Sequence, residues 1–308
     1  MGLSTDPVRT LADLERQSFP GTALAVLGHP IQHSLSPAMH NAALAEMART
    51  NREFASWHYD KFEVHPDDLP GALDLFHARG FRGLNLTVPH KVIAFTHLKP
   101  AAPAVRMIGA VNTLLRREPV GWEGYNTDGY GLAMGVREDL GIALGDSPII
   151  LLGAGGAARG AGAECLLRHC ASLWIANRTR AHLDALLAVL RPLAGEVLPH
   201  GFDPQTPPAD LPAGALVINA TSAGLRPDDP PPVDLTRLPR PAGVYDMIYN
   251  PPQTRLLRQA AALGVPHANG LSMLVHQGAK SLEIWSGVSA ERTAPTMLRA
   301  ARAALASA

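Results

Sequence analysis

One glycine-rich turn constrains the fold of this chain more than any other feature. The segment IILLGAGGAARG places Gly153, Gly155 and Gly156 directly after a short apolar stretch and before an alanine-rich one. The first glycine allows a tight turn, the second lets the backbone approach a pyrophosphate, and the small Ala158 permits close helix packing. A glycine triplet alone also fits an ordinary strand-to-helix turn. Here strand, turn and helix follow one another in the order that a dinucleotide site requires, with the helix N-terminus facing the phosphates.

The end of the next predicted strand indicates which dinucleotide is bound. LWIA is followed by Asn177, Arg178 and Thr179, where an NAD site usually carries an acidic residue that binds the ribose 2′-hydroxyl. A guanidinium occurs here instead, and it can bind a 2′-phosphate through two parallel hydrogen bonds. The sequence therefore favours NADP over NAD. The alternative is a solvated arginine at a strand end.

The order of the predicted elements indicates two α/β domains. Strands alternate with helices from Ala23 on, and SPIILLG, LWIANRT, ALVINATS and GVYDMIY read as strands of a doubly wound Rossmann domain. We assign residues 128–269 to this NADP-binding domain. Residues 1–127 with 270–308 form the predicted substrate-binding and catalytic domain, because the helical region from Ser272 on lies beyond the second sheet and returns to the first domain. A chain of 308 residues is long enough for two cores.

Composition excludes several classes of partner. Lys plus Arg and Asp plus Glu both number 27, so the formal net charge is zero, and no basic run suits a nucleic acid or an anionic membrane. No apolar run reaches membrane-spanning length, and no signal peptide is evident. Cys165 and Cys170 lie five positions apart in one predicted helix, so we expect no disulfide. We expect a cytoplasmic protein with a small-molecule substrate.

The loop GHPIQHSLSPAMHN carries two hydroxyls, Ser34 and Ser36, just before a predicted helix. Hydroxyl donors with helix N–H groups behind them suit a carboxylate. The simpler reading is that Ser36 is the N-cap before Pro37 at the first helical position, and both can hold.

Two other features of the first domain carry possible chemistry. Lys91, after GLNLTVPH, is one of four lysines in a chain that otherwise uses arginine, and only lysine can give up a proton. Asp128, in GYNTDGYG, is either functional or a turn residue that caps the next helix. The histidines His29, His33 and His40 could suggest a metal. No nearby carboxylate or cysteine completes a ligand set, so we expect none.

Taken together, these segments resemble the shikimate dehydrogenase family. The matching stretches occur in the family's order between about residue 24 and residue 286: GHPIQHSLSPAMHN, GLNLTVPHK, GAVNT, NTDGYG, GAGGAARG, NRT, NATSAG, YDMIYNPPQT and NGLSMLVHQGAKS.

The resemblance implies a role for each matching residue. The catalytic pair would be Lys91 and Asp128. The substrate carboxylate would be held by Ser34 and Ser36 with Tyr249 assisting, and the ring hydroxyls by Thr87, Asn112 and Gln277. The cofactor would be bound by Gly153, Gly155, Gly156, Ala157, Asn177, Arg178, Thr179, Thr221, Gly270 and Met273.

The sequence departs from the family pattern at one place. A second basic residue often occurs three positions after the threonine of NRT, where this chain has His182, with Arg180 two positions earlier. NADP preference could then be less strict. Relatives that prefer quinate often carry threonine at the position of Ser36, so its serine speaks against quinate.

The activity that the resemblance implies is NADP-dependent, reversible reduction of 3-dehydroshikimate to shikimate, a step of aromatic amino acid and chorismate biosynthesis. We expect a monomer or homodimer. Three alternatives remain: a quinate/shikimate dehydrogenase that uses NAD, a non-catalytic NADP-binding sensor on the same fold, and an enzyme of the methylenetetrahydrofolate dehydrogenase type. The intact Lys91, Asp128, Ser34 and Ser36 disfavour the sensor, and the paired serines disfavour the folate enzyme.

Overall fold

The computed structural model describes residues 7–87, 89–100, 103–119 and 121–307. Its contacts divide the chain into two compact units, which are Met1–Thr127 with Val275–Ala308, and Asp128–Leu274. Each unit is built around its own sheet.

The first unit is an α/β structure with a mixed sheet. Its strands are β1 (Val8–Arg9), β2 (Thr22–Gly28), β3 (Trp57–Glu63), β4 (Gly83–Leu86), β5 (Lys99–Pro100), β6 (Thr113–Arg117) and β7 (Gly121–Tyr125). Its first helices are α1 (Leu11–Arg16), α2 (Ser36–Thr50), α3 (Leu69–Ala78), α4 (His90–His97) and α5 (Pro103–Ile108). Short 3-10 turns lie at Arg52–Ser56 and Pro66–Asp68.

The strand at the centre of this sheet is buried, which explains its apolar sequence. The strand order is β1-β3-β2-β4-β6-β7-β5, and β2 (TALAVLG) is buried along almost its whole length, as expected of an interior parallel strand. One face packs on an apolar core that includes Phe62, Phe76 and Phe81. Strands β1 to β4 pair in parallel, whereas β4–β6 and β6–β7 are antiparallel.

The second unit is a doubly wound parallel sheet. It contains α6 (Asp128–Leu140), β8 (Pro148–Leu152), α7 (Gly156–Leu167), β9 (Ser172–Ala176), α8 (Arg180–Leu190), β10 (His200–Phe202), β11 (Leu216–Asn219), β12 (Gly243–Asp246), α9 (Arg255–Ala262) and β13 (His267–Asn269). Short 3-10 turns lie at Arg191–Leu193 and Leu235–Arg237. The order β10-β9-β8-β11-β12-β13 reverses direction between β8 and β11. This is the Rossmann order, with its ligand crevice at the carboxyl ends of the strands beside that reversal.

The last two helices are α10 (Leu271–Ser286) and α11 (Ala290–Ala306). The indole of Trp285, on α10, is fully buried and donates to the carbonyl of Leu114 on β6 at 2.9 Å. Arg82, just before β4, donates to the carbonyl of Trp285 at 2.6 Å, and α11 packs on α2. The predicted fold class, including the return of the C-terminal helices to the first unit, is therefore confirmed.

Several local predictions need correction. The stretch GAVNTLLRR at residues 109–117 reads as one strand, but β6 begins only at Thr113, and its antiparallel partner β7 has no counterpart in the sequence prediction. Cys170 does not share a helix with Cys165, because α7 ends at Leu167. Both cysteines are buried thiols without a disulfide. Among the described residues, no helix is both long and apolar enough to cross a membrane.

Candidate active site

The glycine turn after β8 has the geometry that a dinucleotide needs. Gly153 has φ +110°, and a Cβ there would stand 2.9 Å from Cγ2 of Thr221 and 3.1 Å from the carbonyl oxygen of Ala220. Both the backbone conformation and the close approach of the chain after β11 therefore require glycine. The turn lies at the switch point between β8 and β11.

The start of α7 is open where the phosphates would lie. Helix α7 begins at Gly156 and has no side-chain cap at Gly155, so its first N–H groups stay available to an anion. Gly155, Gly156 and Ala157 are exposed. A Cβ placed on either glycine would meet no atom within 4 Å. This cradle fits a pyrophosphate.

The residues after β9 fit the adenosine end of NADP. Asn177 donates to the carbonyl of Thr179 at 2.9 Å and so fixes the turn. Arg178 is exposed, and its side chain forms no hydrogen bond or ion pair within the described residues. Arg180, by contrast, is bound to both carboxylate oxygens of Asp184 at 2.9 and 3.0 Å. Arg178 is thus the cation that this corner offers to a 2′-phosphate.

Thr221 rests on a buried polar network that the sequence does not predict. Its backbone N–H and hydroxyl both donate to Oδ1 of Asn219, at 3.0 and 2.7 Å. Asn219 donates to Asp246 at 2.9 Å, and Thr254 donates to the same carboxylate at 2.6 Å. Burial raises the pKa of Asp246, and these hydrogen bonds oppose the increase. The motifs NATSAG and YDM held the signal, because each places a polar residue at the end of an apolar strand.

The remaining cofactor candidates lie where β13 passes into α10. A Cβ on Gly270 would overlap the carbonyl of Met247, so only glycine fits there. The backbone N–H of Met273 donates to the hydroxyl of Tyr245 at 3.2 Å. Both residues belong to the second unit.

The hydroxyl loop of the first unit differs in detail from its prediction. Helix α2 begins at Ser36 itself, the cap position is Leu35, and no side chain caps the helix. Ser36 is therefore not the N-cap. Instead, Oγ of Ser34 accepts from the backbone N–H of Ser36 at 3.3 Å, so the two serines are brought together at the helix start.

Asn112 and Gln277 are also brought together. The side-chain amide of Asn112 donates to Oε1 of Gln277 at 3.3 Å and to Thr127 at 3.0 Å. Its Oδ1 accepts from the backbone N–H of Thr127 at 2.8 Å. Asn112 is almost fully buried, so these bonds determine its orientation.

A second set of residues, absent from the sequence prediction, supports that pair. The amide nitrogen of Asn85 lies 3.0 Å from the carbonyl of Asn112, 3.1 Å from Thr113 and 2.9 Å from Ser281. Because a carbonyl only accepts, Oδ1 of Asn85 must face Tyr59, whose hydroxyl donates to it at 2.8 Å. Burial raises the pKa of the Tyr59 phenol, and the side chain of Ser36 opposes the increase, so Ser36 lies beside this network. The buried network thus runs from Asn112 through Asn85 to Tyr59, next to Ser36 at the start of α2.

The other candidates are distributed between the two units. Thr87 follows β4, and its carbonyl accepts from the N–H of His90 at 2.8 Å. Lys91 is half-buried in the first turn of α4, where its carbonyl accepts from Val111 at 3.0 Å. Asp128 is the first residue of α6, and Tyr249 follows β12, so both belong to the second unit. Burial raises the pKa of the Tyr249 phenol.

Among the described residues, no group of His, Cys, Asp and Glu could hold a metal ion. His40 is fully buried, and its Nδ1 lies 2.9 Å from the carbonyl oxygen of Ser36. It supports the start of α2.

A Rossmann sheet with a glycine cradle and a cation after its second strand defines the class of NADP-dependent dehydrogenases. Family models match the chain at both ends: the shikimate dehydrogenase substrate binding domain over residues 26–114, and the shikimate 5′-dehydrogenase C-terminal domain over residues 270–302. The chain belongs to the shikimate dehydrogenase family.

Individual relatives agree over most of the chain. A shikimate dehydrogenase (NADP(+)) of Symbiobacterium thermophilum is 40% identical over 276 residues, which cover 87% of this chain and 90% of the relative. The Thermus thermophilus enzyme, solved with NADP(H) and shikimate, is 35% identical with a TM-score of 0.76, covering 92% and 99% of the two chains. A quinate dehydrogenase from Corynebacterium glutamicum, solved with NAD, is 26% identical with a TM-score of 0.78, covering 91% and 99%.

Proposed function

We propose that this chain catalyses the NADP-dependent, reversible reduction of 3-dehydroshikimate to shikimate. The observation that carries the proposal is that the first unit pairs Ser34 with Ser36 and holds the side-chain amides of Asn112 and Gln277 together, with a buried hydrogen-bond network from Asn112 through Asn85 to Tyr59 behind them. Hydroxyl donors suit a carboxylate, and amides both donate to and accept from ring hydroxyls. Such a set suits a polyhydroxylated ring acid.

In this proposal one unit binds the substrate and the other binds the cofactor. The unit Met1–Thr127 with Val275–Ala308 binds the substrate, with Thr87 as a further contact, and Tyr249 of the other unit assists. The unit Asp128–Leu274 binds NADP through the glycine cradle, Asn177, Arg178, Thr179 and Thr221, with Gly270 and Met273 beside the nicotinamide. When bound, the cofactor supplies the hydride.

Lys91 and Asp128 act together in proton transfer. As the ketone is reduced, negative charge develops on its oxygen, and Nζ of Lys91 donates a proton there. The carboxylate of Asp128 orients the amine. General acid–base assistance of this kind contributes about 100- to 10,000-fold in rate.

A panel assay tests the activity itself. Reduced cofactor is followed by absorbance with shikimate or quinate as substrate, each with NADP⁺ or NAD⁺. We expect the highest kcat/KM for shikimate with NADP⁺. A higher value for quinate with NAD⁺ would identify the alternative dehydrogenase, and no turnover of any pair would support the sensor.

Lys91→Ala tests the role of the amine. We expect kcat to fall about 100- to 10,000-fold while the KM for NADP stays nearly unchanged. Lys280→Ala is the matched control, because Lys280 lies on α10 in an ion pair with Glu283 at 2.6 Å, and it should keep the wild-type kcat. An equal loss of cofactor affinity in Lys91→Ala would assign Lys91 a structural role.

We further propose that the enzyme works in the cytoplasm as a monomer or homodimer. Its substrates are small molecules, and neither nucleic acid nor membrane takes part. Light scattering of the purified chain measures the oligomeric state, and a larger assembly would contradict this part of the proposal.

A further inference from the structure

Strand β3 presents polar side chains to the serine loop at alternate positions. Tyr59, Lys61 and Glu63 share one face of the strand because side chains alternate along a β-strand. Phe62, between the last two, packs in the apolar core on the other face. Lys61 and Glu63 both contact Gln32 in the loop that precedes α2, and Tyr59 lies beside Ser36 at the start of the helix.

Lys61 is the most unusual of the three. It lies in an interior strand, between β1 and β2, and is 1% exposed. Its amine donates to the carbonyl of Gln32 at 3.1 Å. A buried lysine is unfavourable unless acceptors or an opposite charge compensate it, so this position makes a specific demand on its surroundings.

The residue that Lys61 binds is fixed from a second side as well. The side chain of Gln32 donates to Oε2 of Glu63 at 3.2 Å, and the other oxygen of that carboxylate lies 3.2 Å from Nδ1 of His29. Gln32 is thus tied through both its backbone and its side chain. Ser34 follows two residues later, in a turn closed by its N–H to the carbonyl of Ile31 at 3.1 Å.

The charged side chains around this loop differ in how deeply they are buried. The carboxylate of Glu63 is 30% exposed and contacts His29 and Gln32, so solvent screens it in part. Asp60 lies in the register of the opposite face, where Arg9 binds it at 2.9 Å and His58 lies at 3.6 Å. The amine of Lys61 is the buried group, where charge is screened least.

We propose that Lys61 is a positioning residue for the carboxylate subsite. Its amine holds Gln32 in place and puts a positive charge behind Ser34 and Ser36, which favours an anionic substrate over a neutral one. The inference rests on the proposed function, which assigns the substrate carboxylate to these two serines.

The test compares shikimate with its methyl ester, which keeps the ring hydroxyls and loses the charge. In Lys61→Met, we expect the KM for shikimate to increase about 10-fold, with kcat within about 2-fold and the KM for NADP unchanged. The KM for the ester should change by less than about 2-fold. Lys61→Arg should restore most of the preference for shikimate over the ester, and Lys280→Met should behave as wild type.

Lys61→Gln provides a second neutral variant in case the methionine variant does not fold. Its amide can still donate to the carbonyl of Gln32, so it removes the charge and keeps a donor. It should lose the preference for the acid as well. Equal KM changes for acid and ester in either neutral variant, or an unchanged KM for shikimate, would overturn the inference. Failure of the wild-type enzyme to oxidise shikimate would instead refute the proposed function.

Discussion

His40 should make the folded chain sensitive to mild acid. The ring is fully buried in α2, one turn after Ser36, and stacks on Tyr59 with centroids 4.0 Å apart. Since the carbonyl of Ser36 can only accept, Nδ1 carries the hydrogen in this bond. Burial lowers the pKa of His40 from 6.5 to about 4, although the backbone bond to Ser36 opposes the decrease.

The sign of the effect follows from which state binds the proton. Above pH 6.5 the histidine is neutral in both the folded and the unfolded chain, so it contributes no pH dependence. Between pH 6.5 and pH 4 the unfolded chain binds a proton that the folded chain does not, and the free energy of unfolding decreases as the pH falls. The loss amounts to about 2 kcal/mol at pH 5 and about 3 kcal/mol below pH 4.

Urea unfolding of wild type and His40→Gln at pH 7.5, 6 and 5 measures this contribution. We expect the free energy of unfolding of the wild type to decrease by about 2 kcal/mol more than that of the variant between the highest and lowest pH. Burial also lowers the pKa of His90, but this contribution is common to both proteins and cancels. His97→Gln, at an exposed position of α4, is the control and should keep the wild-type slope. The same pH slope in His40→Gln as in wild type would refute the reasoning.

Two further substitutions test the two ends of the site. Arg178→Gln should increase the KM for NADP about 10- to 100-fold and leave the KM for NAD unchanged, because a charge-assisted hydrogen bond contributes about 1.5–3 kcal/mol. Steady-state kinetics with both cofactors measures the two KM values, and an equal increase in both would contradict this role. Asn85→Leu should lower the free energy of unfolding by about 1–3 kcal/mol, because Tyr59 and Ser281 lose a buried partner. Urea unfolding measures the loss. If the KM for shikimate of the variant equals that of the wild type, Asn85 contributes to stability and not to substrate binding.

The Rossmann unit could be predicted from the sequence because its signals are local. Gly153 after an apolar strand, and Arg178 after the next one, are both read from consecutive residues. The parallel order follows from short strands that alternate with helices. The first unit gave weaker signals. Its antiparallel pair β6–β7 joins a strand that was predicted to begin too early to one that was not predicted at all.

The supporting residues of the candidate site could not be predicted, because their partners are distant in sequence. Asn85 binds Ser281, 196 positions later, and Tyr59, 26 positions earlier. In isolation, Asn85 in GLNL reads as a polar interruption of a buried strand. Only the fold shows that Asn85 faces other polar groups. The resemblance to the family names Asn112, and nothing in the sequence indicates the residue that holds it in place.

The sequence of strand β3 nevertheless indicates that it lies next to polar partners. Its sequence, WHYDKFE, places charged or hydrogen-bonding side chains on both faces of an interior strand. On one face Asp60 is matched by Arg9 from the neighbouring β1. On the other face is Lys61, and the pairing strand β2 is apolar throughout its register with β3 apart from Thr22. A buried lysine needs acceptors or an opposite charge to compensate it. The carbonyl of Gln32, in the loop that leads to Ser34 and Ser36, is one acceptor for this amine. Burial of Lys61 in β3 therefore also holds in place the loop that forms the proposed carboxylate subsite.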